Sequence, residues 1–127
     1  MKTFILFLFL ILSFNACGQY KRDRIILGRP YAEQELRESL NDSSLHNVID
    51  HKTSIIKDST VAISVAESVL FSIYGKESII KQRPYEIYFI NNYWILIGTL
   101  PEGSLGGTFL IIIDSRDSRI IRLTHGK

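Results

Sequence analysis

From Ser59 to Gly75 the chain reads STVAISVAESVLFSIYG, and its apolar residues fit two periods at once. Val61, Ile63, Val65, Val69, Phe71 and Ile73 alternate as in a half-buried strand, while Ser64, Glu67, Ser68 and Ser72 form a polar stripe at helical spacing. Three features decide for a helix. The stretch is far longer than the usual strand of about 5 or 6 residues, Ala66-Glu67 sits at its centre, and an Asp58-Ser59 cap and Gly75 bracket it.

After the break at Arg83-Pro84, four short runs read as strands. Tyr85–Ile90 and Tyr93–Leu100 are joined by Asn91-Asn92, a pair that tolerates the left-handed conformation of a tight hairpin. Thr108–Asp114 and Arg119–Thr124 are joined by Ser115-Arg116-Asp117-Ser118, another turn-forming cluster. The expected fold class is therefore α+β, with one main helix packed on a four-stranded antiparallel meander.

The glycine-rich segment LPEGSLGGTF, Leu100 to Phe109, invites a phosphate-binding reading. Such loops usually open onto a helix N-terminus, where free N–H groups and the helix dipole favour an anion. Here a strand follows, so the segment reads as a connector, with Gly106-Gly107 permitting a close approach that a side chain would block.

Alternation along the middle strands places Tyr93, Ile95 and Ile97 on one face and Trp94, Leu96 and Leu100 on the other. Phe109, Ile111 and Ile113 likewise oppose Leu110 and Ile112. Both faces are apolar. A single helix covers one face, so the second is expected to meet residues 31–58, another subunit or a partner.

Upstream, MKTFILFLFLILSFNACGQ has a basic Lys2, an apolar run from Phe4 to Leu12 and a small residue, Ala16, before Cys17. This fits a secretory signal peptide over residues 1–16, and the run falls short of the about 20 apolar residues that a membrane span needs. Cys17 is the one cysteine of the 127 residues, so no intrachain disulfide forms. The Ala16-Cys17-Gly18 junction resembles the lipobox of bacterial lipoproteins, with Phe14 where leucine is usual. Lipid attachment at Cys17 is the expectation; the alternatives are a secreted form without lipid and an uncleaved anchor. Residues 17–30 then form a tether, residues 31–58 a helical or irregular segment with a short helix over Tyr31–Leu40, and residues 59–127 the α+β domain.

Charge names no partner. The chain carries 15 basic and 13 acidic residues, too even a balance for a nucleic-acid field. The aromatic run Tyr85, Tyr88, Phe89, Tyr93, Trp94 lacks interleaved lysine or arginine, which argues against base stacking and for core and interface. His46 and His51 flank Asp50, but their spacing sets them about 140° apart on a helix, and no cysteine remains to add a metal ligand. Asp114 and Asp117 lack the rest of a calcium loop and read as turn residues. His125 lacks a nucleophile and reads as a strand-end histidine bonded to a neighbour. No cofactor or metal is expected. Glu86 and Asp114 are the acidic residues of the strand runs, and an enzyme or small-ligand carrier would have to use one of them.

A series of motifs adds to this. Ile73-Tyr74-Gly75, Lys81-Gln82-Arg83-Pro84-Tyr85, Trp94, Gly98-Thr99-Leu100-Pro101, Gly106-Gly107 with Phe109, and Leu123-Thr124-His125-Gly126-Lys127 together resemble the immunity proteins with a nuclear transport factor 2-like fold that accompany bacterial polymorphic toxins. The resemblance runs from Ser59 to Lys127. It implies a small cone-like sheet, a cognate toxin as partner and a binding role without catalysis. Apart from the resemblance, an envelope lipoprotein with a scaffolding role is the alternative, and the apolar second face allows a homo-oligomer. Its motif residues here are Tyr74, Gly75, Arg83, Pro84, Gly98, Thr99, His125, Gly126 and Lys127. Tyr88, Trp94, Glu102, Gly106 and Gly107 are the expected partner contacts. The family usually has Asp-Gly in the last turn where Asp117-Ser118 stands, which predicts strain in that hairpin.

Overall fold

The computed structural model describes residues 23–126, so Cys17, the leader and Lys127 lie outside the described residues. The chain divides into two units, Met1–Leu45 and His46–Lys127. In the first, α1 (Gly28–Asn41) begins before the expected Tyr31, because Pro30 suits a first helical turn, where its missing N–H is not needed. None of its residues is buried. Its surface is laced by pairs one turn apart, Arg29 with Glu33 at 2.7 Å and Gln34 with Glu38 at 2.8 Å, each contributing about 0.2–0.5 kcal/mol.

The second unit opens with an irregular stretch in which Ser115 O accepts from the N–H groups of both Ile55 and Ile56, and Ser54 Oγ lies 2.7 Å from Ser115 Oγ. These bonds fix Ile56 in the core, so part of the segment expected to precede the domain belongs to it. Helix α2 (Ser59–Tyr74) then forms as the caps dictate. Asp58 accepts from Val61 N at 2.9 Å, and Gly75 ends the helix at φ +85°, a conformation costly for any side chain. A short α3 (Lys76–Ile80), not expected from the sequence, follows at once and buries Ile79.

The sheet is a meander in the order β1-β2-β3-β4, with β1 Glu86–Ile90, β2 Tyr93–Ile97, β3 Phe109–Asp114 and β4 Ile120–His125, every pair antiparallel. Asn91 and Asn92 turn the first hairpin at φ 50° and 66°. Strand β2 stops at Ile97 and not at the expected Leu100, because Thr99 N bonds out of the sheet to Gln82 O at 2.9 Å. In the last turn Ser118 sits at φ 66°, the left-handed position that the missing glycine would have filled without strain.

The core lies between α2 and one face of the sheet. Ala62, Ala66 and Leu70 of the helix meet Leu96, Phe109, Ile111 and Ile113, all fully buried, with Trp94, Ile56 and Ile79 completing the cluster. Two small alanines on the inner stripe let the helix approach the sheet closely. Each large apolar side chain sealed here contributes about 1.5–3 kcal/mol.

Candidate functional site

Strand register sorts the sheet into rows. Under the helix run Ile87-Leu96-Ile111-Leu123 and Phe89-Trp94-Ile113-Ile120. On the opposite face run Tyr88-Ile95-Ile112-Arg122, Glu86-Ile97-Leu110-Thr124 and Ile90-Tyr93-Asp114. Neither α2 nor α3 lies on this second face, and it stays partly open: Tyr88 is 46% and Ile90 54% exposed, and Tyr93, Ile95, Ile97, Leu110 and Ile112 are half-buried.

One end of the open face is closed by an ion pair. Arg116 binds Asp114 through Nε at 2.9 Å and Nη2 at 2.8 Å, and its guanidinium lies 5.4 Å from the centre of the Tyr93 ring. The Arg116 hydrogen bonds hold the Asp114 carboxyl at about 2, below the ordinary 3.8, against the opposing effect of burial. Asp114 thus has a structural partner, and Glu86 lies exposed at the sheet edge accepting from Tyr88 OH at 3.1 Å.

The motif residues converge elsewhere, around a buried glutamine. Gln82 is 3% exposed; its Oε1 accepts from Phe109 N at 2.8 Å and its Nε2 donates to Ser78 O at 3.1 Å. His125 Nδ1 faces Gly126 O at 2.7 Å, so Nδ1 carries the proton and Nε2 accepts from Gln82 at 3.1 Å. The Tyr74 ring packs 5.1 Å from the histidine ring. A Cβ on Gly98 would overlap the Gln82 amide oxygen, and one on Gly107 would overlap the Gly126 backbone. Thr99 Oγ1 donates to Pro84 O at 2.6 Å, beside a cis Arg83–Pro84 bond. These residues lock the strand ends to the α3 turn. Nothing local in the sequence marks Gln82 as buried.

A second polar cluster sits beside the edge strand. Arg83 Nε and Nη2 and Tyr85 OH all donate to Glu67 Oε1, at 2.9, 2.5 and 2.8 Å. Burial, reinforced by Glu67, pushes the Tyr85 phenol up to about 12. Ile63, Arg83, Pro84, Tyr85 and Ile87 line an open groove of about 560 Å³ here.

The expected partner contacts separate. Tyr88 is on the open face; Glu102 and Gly106 are exposed in the β2–β3 connector, where Leu105 is fully exposed. Gly107 is required internally, under Gly126. Trp94 is corrected: it is 9% exposed, faces the helix and donates Nε1–H to Ile56 O at 2.9 Å, so it belongs to the core and not to a contact surface. His51 Nδ1 lies 3.4 Å from Asp117 Oδ2, and among the described residues no group of three or more His, Cys, Asp or Glu is placed to hold a metal ion.

Comparison with known proteins accords with this framework. An uncharacterized protein, YhhH, of Escherichia coli (strain K12) is 32% identical over 75 residues, covering 58% of this chain and 59% of its own length. The chain thus spans less than two thirds of that relative. A second uncharacterized protein of the same strain, YbbC, is 27% identical over 120 residues, 94% of this chain and 90% of its own. No solved structure matches the chain significantly. The family described as NTF2 fold immunity protein matches residues 61–127, the stretch that holds nearly all of α2, the Gln82 lock and all four strands, and the chain belongs to that family.

Proposed function

We propose that this protein binds a cognate bacterial toxin and neutralises it, and that the open face of the sheet is the docking surface. Family membership carries the reading, since an immunity protein acts by occupying its toxin and not by turning over a substrate. The surface supports it. Half-exposed aliphatic and aromatic side chains in the centre, with Glu86 and Arg122 at opposite edges, have the composition of an interface core with a charged rim. Acylation at Cys17 would hold this domain at the cell envelope, each buried methylene adding about 0.8 kcal/mol.

Coexpression with a candidate toxin gene from the same locus tests the reading. Survival of the host and a stable complex on copurification are expected; undiminished killing with no complex would overturn it. Mass analysis of Cys17 in wild type and Cys17→Ser tests the anchor, which predicts an acyl mass lost, with the protein released from membranes, in the variant.

A further inference from the structure

The two edges of the sheet are built differently. Along β4 the pairing is interrupted by a register shift at Ile112/Ile113, and the strand carries Arg122, with Arg119 just before it. Bulges and cations of this kind deter a foreign strand. Along β1, by contrast, all five residues pair regularly with β2, and there is no bulge, lysine or proline. Tyr88, Phe89 and Ile90 are 46%, 50% and 54% exposed.

The hairpin fixes which backbone groups are free. Left-handed conformations at Asn91 and Asn92 make a two-residue turn of the primed type, whose flanking residues Ile90 and Tyr93 exchange both hydrogen bonds. Pairs in an antiparallel ladder alternate, so Tyr88 and Glu86 also point their N–H and C=O groups at β2, while those of Phe89 and Ile87 point outward. On the helix side of this same edge lies the groove of Ile63, Pro84, Tyr85 and Ile87, apolar apart from Arg83, whose guanidinium is already held by Glu67.

We infer that an extended segment of the toxin adds to β1 as a fifth strand, bonding through the Ile87 and Phe89 main chain and seating an apolar side chain in the groove beside α2. This deepens the toxin-binding reading and rests on it. Strand addition takes affinity from main-chain bonds and specificity from pockets for alternate side chains, and both parts are present here. A second copy of this chain fits less well. In a β1–β1 pairing the side chains offered to the groove would be Ile87 and Phe89, yet Ile87 packs against its own core and the Phe89 ring lies 4.7 Å from Trp94. The occupant is therefore a strand with free apolar residues at alternate positions.

Residue-resolved amide exchange on the full chain, alone and with an inactivated toxin against which the protein protects a host, tests this. In the free protein Tyr88 and Ile90 are expected to exchange slowly and Ile87 and Phe89 fast; in the complex the last two slow by about 100-fold. A complex in which Ile87 and Phe89 still exchange fast would overturn strand addition while leaving toxin binding intact. Absence of any complex removes both. Slow exchange at these amides without toxin, together with a doubled mass, would assign the edge to a second copy and overturn the inference. As a second arm, Phe89→Pro deletes one outward N–H, which an edge strand tolerates, and is expected to bind at least about 10-fold more weakly than the matched Phe89→Leu. Equal affinities in folded proteins would contradict the assignment.

Discussion

The two faces of the sheet are written in nearly the same residues and meet different fates. Leu96 and Ile111 under α2 are fully buried, whereas their neighbours Ile95 and Ile112, one residue away and of the same kind, remain half-exposed. Alternation sets which residues share a face, but only the position of the helix decides which face becomes core. An apolar row is thus a statement about folding on one side and about partners on the other.

Paired truncations break this comparison most sharply. Leu96→Ala is expected to lower the unfolding free energy by about 3 kcal/mol, and Ile95→Ala by less than about 1.5 kcal/mol, measured by denaturant titration. Equal losses would mean that both faces are core. Next come the glycines of the Gln82 lock. Gly98→Ala and Gly107→Ala force a methyl against Gln82 and the Gly126 backbone, with an expected cost of about 1–3 kcal/mol each by the same measurement, although neither touches the open face.

A pH titration probes the end where the faces meet. The Asp114 carboxyl titrates at about 2 when folded against an ordinary 3.8, so its contribution is fully present above about 4 and is lost as pH falls towards 2. Asp114→Asn is expected to remove that part of the acid sensitivity, read as the difference between the two pH–stability curves. The smallest effect is a gain: Ser118→Gly relieves a left-handed residue and is expected to stabilise the last hairpin by about 1 kcal/mol.

Local features were legible in the sequence. Asp58 and Gly75 mark the ends of α2 because caps act within one turn, and Asn91-Asn92 marks the first hairpin because few residues adopt its dihedral angles. Long-range features were not. Trp94 read as a contact because alternation gives its parity and not its depth. Gln82 is buried only because Phe109 and His125, far along the chain, bring an N–H and a ring nitrogen to its amide. Ile56 joins the core through Ser115, a turn residue with no local sign of that role. Of the candidate site, the surplus of apolar residues could be read, and a meander already sets β1 at an edge, but the groove beside that edge could not, since it depends on how Ile63 of α2 packs beside Pro84, Tyr85 and Ile87.

The most direct test of the open face is to place a charge at its centre. Ile95→Glu is expected to stay folded, with a loss below about 2 kcal/mol, and to abolish protection of a host expressing the toxin. A folded Ile95→Glu protein that protects as well as wild type would contradict docking on this face.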